Sequence, residues 1–231
     1  AHVAAADFHD LAFRVVTEIR DAEREIVEIG GGNMGHVRIG SVTGPALDRV
    51  LPALRTARLA LPGVTAEVTV AASDILALQL LAGRMDFAIG RMPEGMGGQL
   101  SLSAPIDSEP VALMVRRGHR LAMRDAVSPR ELMEYDWVMP PAEALLARAV
   151  TDRLRALDLP TPPQRLATTS FLLTLALLQQ SNAIAPLARA VCDRFAGGPD
   201  SPYVILPVDL GIVVEPYGLL TRAGAILTPV A

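Results

Sequence analysis

The sequence predicts an α/β protein of two lobes, each a parallel-rich sheet flanked by helices, preceded by an amphipathic helix. Three observations carry this. Between His36 and Gly90, strand and helix signals alternate β-α-β-α-β, and that order needs crossover helices over a parallel sheet. The alternation starts again at Pro110 and runs to Thr221, which supplies a second lobe. With 231 residues, 51% of them hydrophobic and 20% charged, the chain can bury a full core.

The elements follow from local signals. Over residues 7–29, Phe8, Leu11, Val15, Ile19, Ala22, Ile26 and Ile29 recur at spacings of three and four among charged residues, an amphipathic helix with a narrow apolar seam. Gly30-Gly31-Gly32-Asn33 closes it as a C-cap and joint. A narrow seam ahead of a glycine joint favours a dimerising linker helix over an ordinary packed one. His36–Val42 reads as a strand, and Pro45–Leu61 as a helix with Pro45 in the first turn, where its missing N–H costs nothing. Pro62-Gly63 is a turn and Thr65–Val70 a strand. Ser73 is placed to N-cap a helix over Asp74–Ala82, Gly83-Arg84 ends that helix, and Met85–Gly90 is a short buried strand.

In the second half, Pro110–Arg116 is a strand, Ser128–Glu134 a short helix, and Tyr135–Met139 a strand halted by Pro140-Pro141. Glu143–Leu157 is a helix and Leu166–Thr168 a brief strand. Ser170 caps a helix over Phe171–Gln180, Ala183–Pro186 is a buried strand and Leu187–Phe195 a helix. Val204–Pro207 and Tyr217–Thr221 are the last strands. The expected organisation is a linker helix and glycine joint over residues 1–35, a first lobe over 36–108 plus about 208–231, and a second lobe over 109–207.

Charge narrows the function. All 21 basic residues are Arg, and the net charge is −4. The acidic excess lies in residues 1–35, where Asp7, Asp10, Glu18, Asp21, Glu23, Glu25 and Glu28 face only Arg14, Arg20 and Arg24. No basic stripe is available to neutralise a run of phosphates, so this chain is not expected to bind nucleic acid by itself. A single cysteine, Cys192, excludes an internal disulfide and reads as a small buried residue. No apolar run reaches the ~20 residues of a bilayer span, and no signal-peptide pattern opens the sequence. The expectation is a protein with no membrane contact, in a reducing compartment.

No catalytic constellation stands out. His2, His9, His36 and His119 are not spaced as helical metal pairs. There is no nucleophile elbow, phosphate loop or dinucleotide turn, and Asp86 reads as a local hydrogen-bonding residue. No metal or cofactor is expected. What does recur is a small hydroxyl residue where a strand gives way to a helix, at Thr43-Gly44-Pro45, Ser73-Asp74 and Thr169-Ser170-Phe171. Ligands of parallel sheets bind beyond the carboxyl ends of the strands, and helix starts there favour anions. Taken alone, each such start reads as a plain cap; three at matching places weigh as much for a binding cleft as for caps.

Longer stretches carry a family resemblance. Glu23-Arg24-Glu25-Ile26 with Gly35-His36-Val37-Arg38-Ile39-Gly40 resembles the linker-helix exit and first strand of LysR-type transcriptional regulators. Leu61-Pro62-Gly63-Val64 followed by Leu81-Ala82-Gly83-Arg84-Met85-Asp86-Phe87-Ala88-Ile89-Gly90 is similar to a signature of that family. So are Gly118-His119-Arg120-Leu121-Ala122, Asp136-Trp137-Val138-Met139 and Ser181-Asn182-Ala183-Ile184-Ala185-Pro186. The resemblance spans about residues 10 to 222 in order.

It implies a type II periplasmic-binding-protein-like fold that senses a small effector, a cytoplasmic setting, and assembly as a homodimer or tetramer. It also implies DNA binding only through an N-terminal winged helix-turn-helix that this sequence does not contain. The effector contacts it implies are Ser41, Thr43, Gly44, Ser73, Met139, Pro140, Pro141, Thr169 and Ser170. Within that resemblance the effector is expected to be a small organic acid. A free-standing solute-binding receptor of a transporter shares the fold but needs an export signal. An enzyme on the fold needs an acid-base pair that the sequence does not offer.

Overall fold

The computed structural model describes residues 35–162, 166–225 and 227. The seam helix expected over residues 7–29 lies outside the described residues. The chain divides into two compact units. One continues to Ile106 and resumes at Tyr217, and the other is Asp107–Pro216. The return to the first unit therefore comes at Tyr217, not near residue 208. The reason is packing: Leu210, Ile212 and Val214 are buried in the apolar cluster of the second unit, with Leu113, Trp137 and Leu206.

In the first unit, β1 (Gly35–Ser41) lies between β2 (Val64–Val70) and β3 (Phe87–Gly90), parallel to both. The last strand, β10 (Val213–Arg222), runs antiparallel to β3, and β4 (Leu100–Leu102) pairs with it on the other side. Gly40 sits where the sheet packs tightly on helix α2 (Ser73–Leu81). A Cβ there would lie 2.7 Å from the Met85 sulfur and 3.0 Å from a Leu76 methyl. Leu76, Ala77 and Leu80 of α2 bury against Met85, Ala88 and Leu220. Gly83, at φ +64, closes α2: its N–H donates to the Leu80 carbonyl and the Arg84 N–H to that of Gln79.

Helix α1 joins β1 to β2 in three continuous segments, Thr43–Pro45, Ala46–Val50 and Leu51–Ala60. Its middle segment is a π-turn in which the Leu51 N–H donates to the Ala46 carbonyl, five residues back. Pro52 explains it. Proline has no N–H to give to Asp48, and its ring presses on that carbonyl, so the ladder widens by one residue. The segment Leu51–Ala60 has no buried residue.

In the second unit, β5 (Asp107–Arg116) pairs antiparallel with β8 (Ala185–Ala188) and β9 (Tyr203–Ile205). Beside β8, the short strand β6 (Val138–Met139) pairs in parallel with β7 (Leu166–Ala167). So the first unit is parallel-rich as expected, while the sheet of the second is mixed. No helical crossover leads into β5, and the parallel register that a crossover would impose is not required of it. Helices α3 (Leu145–Ala156), α4 (Phe171–Gln180) and α5 (Arg189–Ala196) flank this unit. Cys192 of α5 is fully buried, which pushes its thiol pKa up to about 12 and makes it a packing residue.

His119 is also fully buried. Its Nδ1 accepts the Leu121 N–H at 3.1 Å, and its Nε2 lies 3.1 Å from the Asn182 carbonyl oxygen. That pairing requires the neutral ring with hydrogen on Nε2. Burial is the main cause that lowers its pKa, and the nearby Arg116 charge adds to it. A lowered folded-state value means the neutral form stabilises the fold fully above about pH 6.5, with stability lost as pH falls from there through the lowered value. The midpoint of thermal unfolding is therefore expected to drop between neutral and mildly acidic pH, and to drop less in His119→Gln.

Candidate functional site

The three strand-to-helix junctions named from the sequence all form, but they are built differently from one another. In the first unit, β1 ends at Ser41. The Ser41 carbonyl accepts the Ala71 N–H at 3.2 Å, and the Val42 N–H donates to the Ile89 carbonyl at 3.0 Å. The carboxyl ends of β1, β2 and β3 are thus tied together, and the starts of α1 and α2 stand beside them. Ser41 itself has no exposed surface, and its hydroxyl donates to the Val42 carbonyl at 3.0 Å. Thr43 is exposed, while Gly44 and Pro45 are buried beneath it.

Two of the hydroxyls are not caps. The residues in N-cap position are Val42 for α1 and Ala72 for α2, both extended and both without a side-chain cap. Thr43 and Ser73 are the first helical residues instead. This corrects the expectation that Ser73 N-caps α2. Its hydroxyl accepts the backbone N–H of Arg91, the residue after β3, at 3.1 Å. The hydroxyl reaches sideways to the neighbouring strand end because α2 packs directly on β3. A Cβ on Gly90 would come within 3.1 Å of the same oxygen.

In the second unit the pairing of β6 with β7 sets Met139 opposite Ala167, and the Met139 carbonyl accepts the Thr168 N–H at 3.0 Å. That brings Met139, Pro140 and Pro141 beside Thr169 and Ser170. Met139 is buried, the two prolines are half-buried, and Thr169 and Ser170 are exposed. Here the capping expectation is met. The Ser170 hydroxyl accepts the Leu173 N–H at 3.3 Å, and its own N–H donates to the Thr168 hydroxyl at 3.0 Å.

Each unit therefore presents its own group of sequence-named residues. Ser41, Thr43, Gly44 and Ser73 lie at the carboxyl ends of β1, β2 and β3 in the first, and Met139, Pro140, Pro141, Thr169 and Ser170 at those of β6 and β7 in the second. Backbone N–H groups at the starts of α1 and α2 and the hydroxyls of Thr43 and Ser73 are a donor set for an anionic oxygen. Among the described residues, no group of three or more His, Cys, Asp and Glu could hold a metal.

Sequence reasoning passed over the basic residues at this end of the first unit, Arg49 and Arg91, and the phenol of Tyr217 to which they turn. The signals were there: an Arg directly after a buried strand, and Pro52 within a helical pattern. Asp86, expected to make local hydrogen bonds, makes them with Arg38. Its Oδ2 accepts the Arg38 backbone N–H at 2.7 Å and its Oδ1 the guanidinium at 2.9 Å.

Comparison with known proteins gives a consistent result. A family model described as the LysR substrate binding domain matches residues 30–231. The HTH-type transcriptional regulator GbpR of Rhizobium radiobacter is 40% identical over 183 residues, covering 79% of this chain and 61% of that protein. The chain thus spans about six tenths of the length of the curated relatives it matches. Among solved structures, the regulatory domain of CcmR from Synechocystis, in complex with 2-PG, superimposes with a TM-score of 0.68 at 19% identity over 85% of this chain and 92% of that one. The effector-binding domain of QuiR, in complex with shikimate, gives 0.67 at 12% identity over 85% and 91%. At these identities the two likenesses establish the fold.

Proposed function

This chain belongs to the family of LysR substrate-binding domains, and from that premise we propose that it is the effector-sensing and oligomerisation part of a transcription regulator. The effector is a small carboxylate-bearing metabolite, bound at the carboxyl ends of the strands. The observation that carries this is the set of donors at the starts of α1 and α2, with the Ser73 hydroxyl tied to the end of β3. Shikimate is a carboxylate and 2-PG a phosphorylated acid, so both fold neighbours hold ligands of the class this donor set suits. The site offers hydrogen-bond donors, which supports the reading of a sensor. DNA contact is assigned to a helix-turn-helix segment beyond this sequence, as the names of the relatives suggest. Among the described residues no helix is long and apolar enough to cross a membrane; a cytoplasmic setting is part of the proposal.

A thermal-shift screen of small organic acids tests it. An acid at 100 times its dissociation constant adds about 2.7 kcal/mol to folding stability. If no acid in the screen moves the midpoint, the acid-sensing reading fails.

Self-association is the second part of the proposal. In the first unit Leu59 of α1 is 87% exposed, and Val68 and Val70 lie exposed on the edge strand β2. In the second, Leu172 and Leu173 of α4 and Leu166 of β7 are exposed. Apolar side chains on a helix and strand of each unit suit an isologous pair of copies, and pairing would also cover the open edge of β2. Light scattering at micromolar concentration is expected to give at least the dimer mass; a clean monomer would contradict it.

A further inference from the structure

The acidic excess ahead of the first unit has no role in the site. In the helix expected over residues 7–29, Glu18, Asp21, Glu25 and Glu28 follow one another at spacings of three, four and three, so they share one flank beside the apolar seam. Arg20 and Arg24 offset part of this charge, and residues 18–28 keep five carboxylates against these two. Like charges stacked along a helix repel one another, and cations laid against the stripe relieve that repulsion. The segment Gly30–Met34 joins Ile29 to Gly35, the first residue of β1, a tether of about 20 Å when fully extended.

The first unit carries the opposite charge where that segment enters it. Gly35 pairs with Val64, and the turn over 61–63 is all that separates Val64 from the end of α1 at Ala60. Arg55 and Arg58 lie one turn apart near that end, in the stretch of α1 that has no buried residue. Arg84 follows the glycine that closes α2, and the Gly83 carbonyl accepts from the guanidinium of Arg38, three residues beyond Gly35. All three arginines are exposed, and none of them has a hydrogen bond or an ion pair among the described residues. The carboxylates of Asp48, Glu67 and Asp86 face Arg49, His36 and Arg38 instead. We propose that Arg55, Arg58 and Arg84 are the docking face for the acidic flank of residues 18–28 of the same chain. One exposed ion pair is weak, but several on a short tether act together at high effective concentration, which favours the chain's own segment over that of a second copy. The apolar seam is left for a second copy, and docking of the acidic flank fixes the direction in which that seam leaves the first unit.

Every basic residue of the chain is Arg, so Arg58→Lys and, in a second variant, Arg84→Lys each introduce its one side-chain amine. A carbodiimide activates carboxylates and leaves an amide wherever that amine touches one. The test is carbodiimide treatment of each full-chain variant, with isotope-labelled and unlabelled copies mixed, and mapping of the links by mass spectrometry. At low ionic strength the introduced lysine is expected to link to Glu18, Asp21, Glu25 or Glu28 within one chain. The yield should be at least tenfold above that in ~1 M salt, where screening is nearly complete at contact range, and it should not change on dilution of the protein. Glu25→Arg combined with Glu28→Arg should remove the link, and Arg55→Glu should weaken it. Links confined to residues 35–231, links only between labelled and unlabelled copies, a yield that salt does not change, or no link in either variant would each overturn the docking. None of these results bears on whether the domain senses an acid.

Discussion

Asp86→Ala is expected to cost about 3–5 kcal/mol of stability. Asp86 is held by Arg38 twice, through the backbone N–H at 2.7 Å and the guanidinium at 2.9 Å, and the same guanidinium donates to the Gly83 carbonyl at 2.9 Å. The Asp86 N–H in turn donates to the Arg38 carbonyl at 2.9 Å, so the pair stitches β1 to the segment that leads into β3. The carboxylate side chain is 3% exposed and the Arg38 side chain 23% exposed. Removing the carboxylate leaves a largely buried cation and an unsatisfied strand N–H, the costly case for a buried ion pair. A loss of that size is a large part of the stability of an ordinary domain. Asp86→Asn keeps an acceptor for the backbone N–H and should lose less. Urea unfolding at constant slope measures both; a shift below about 1 kcal/mol for the alanine variant would show that the pair is replaceable by water.

Ser73→Ala is expected to weaken effector binding about tenfold or more. A hydrogen bond to a charged ligand group is worth roughly 1.5–3 kcal/mol, and the same hydroxyl positions the Arg91 backbone at the end of β3. The fold itself should lose only about 1 kcal/mol, the net worth of one such bond. Calorimetric titration with the acid selected by thermal shift, beside a denaturation curve, separates the two effects. An unchanged dissociation constant in the variant would make Ser73 a structural tie alone.

The sequence conveyed the order of elements best where signals are local. Leu61-Pro62-Gly63 and Gly83 mark the ends of α1 and α2, and both helices end beside them, at Ala60 and Leu81. It conveyed least where pairing is distant. β4 spans only Leu100–Leu102, too short for any periodic pattern, and exists because β10 lies beside it. β10 extends back to Val213 through Glu215 and Pro216, which hide a strand in a sequence pattern. Thr43, Ser73 and Ser170 look alike in sequence, yet only Ser170 caps. A one-residue difference in where a helix starts decides this, and tertiary packing sets that start. Arg49 and Arg91 reach Tyr217 by a π-turn and a strand end, neither of which a single window of sequence displays.

The central claim is that the domain recognises a negatively charged carboxylate. Its most direct test is a pair of titrations with the acid chosen by thermal shift and with the corresponding primary amide, which keeps the shape and removes the charge. The acid is expected to bind and the amide to bind at least tenfold more weakly, since donors set for an anion gain less from a neutral oxygen. Equal affinity for acid and amide, or binding of neutral compounds alone, would contradict it.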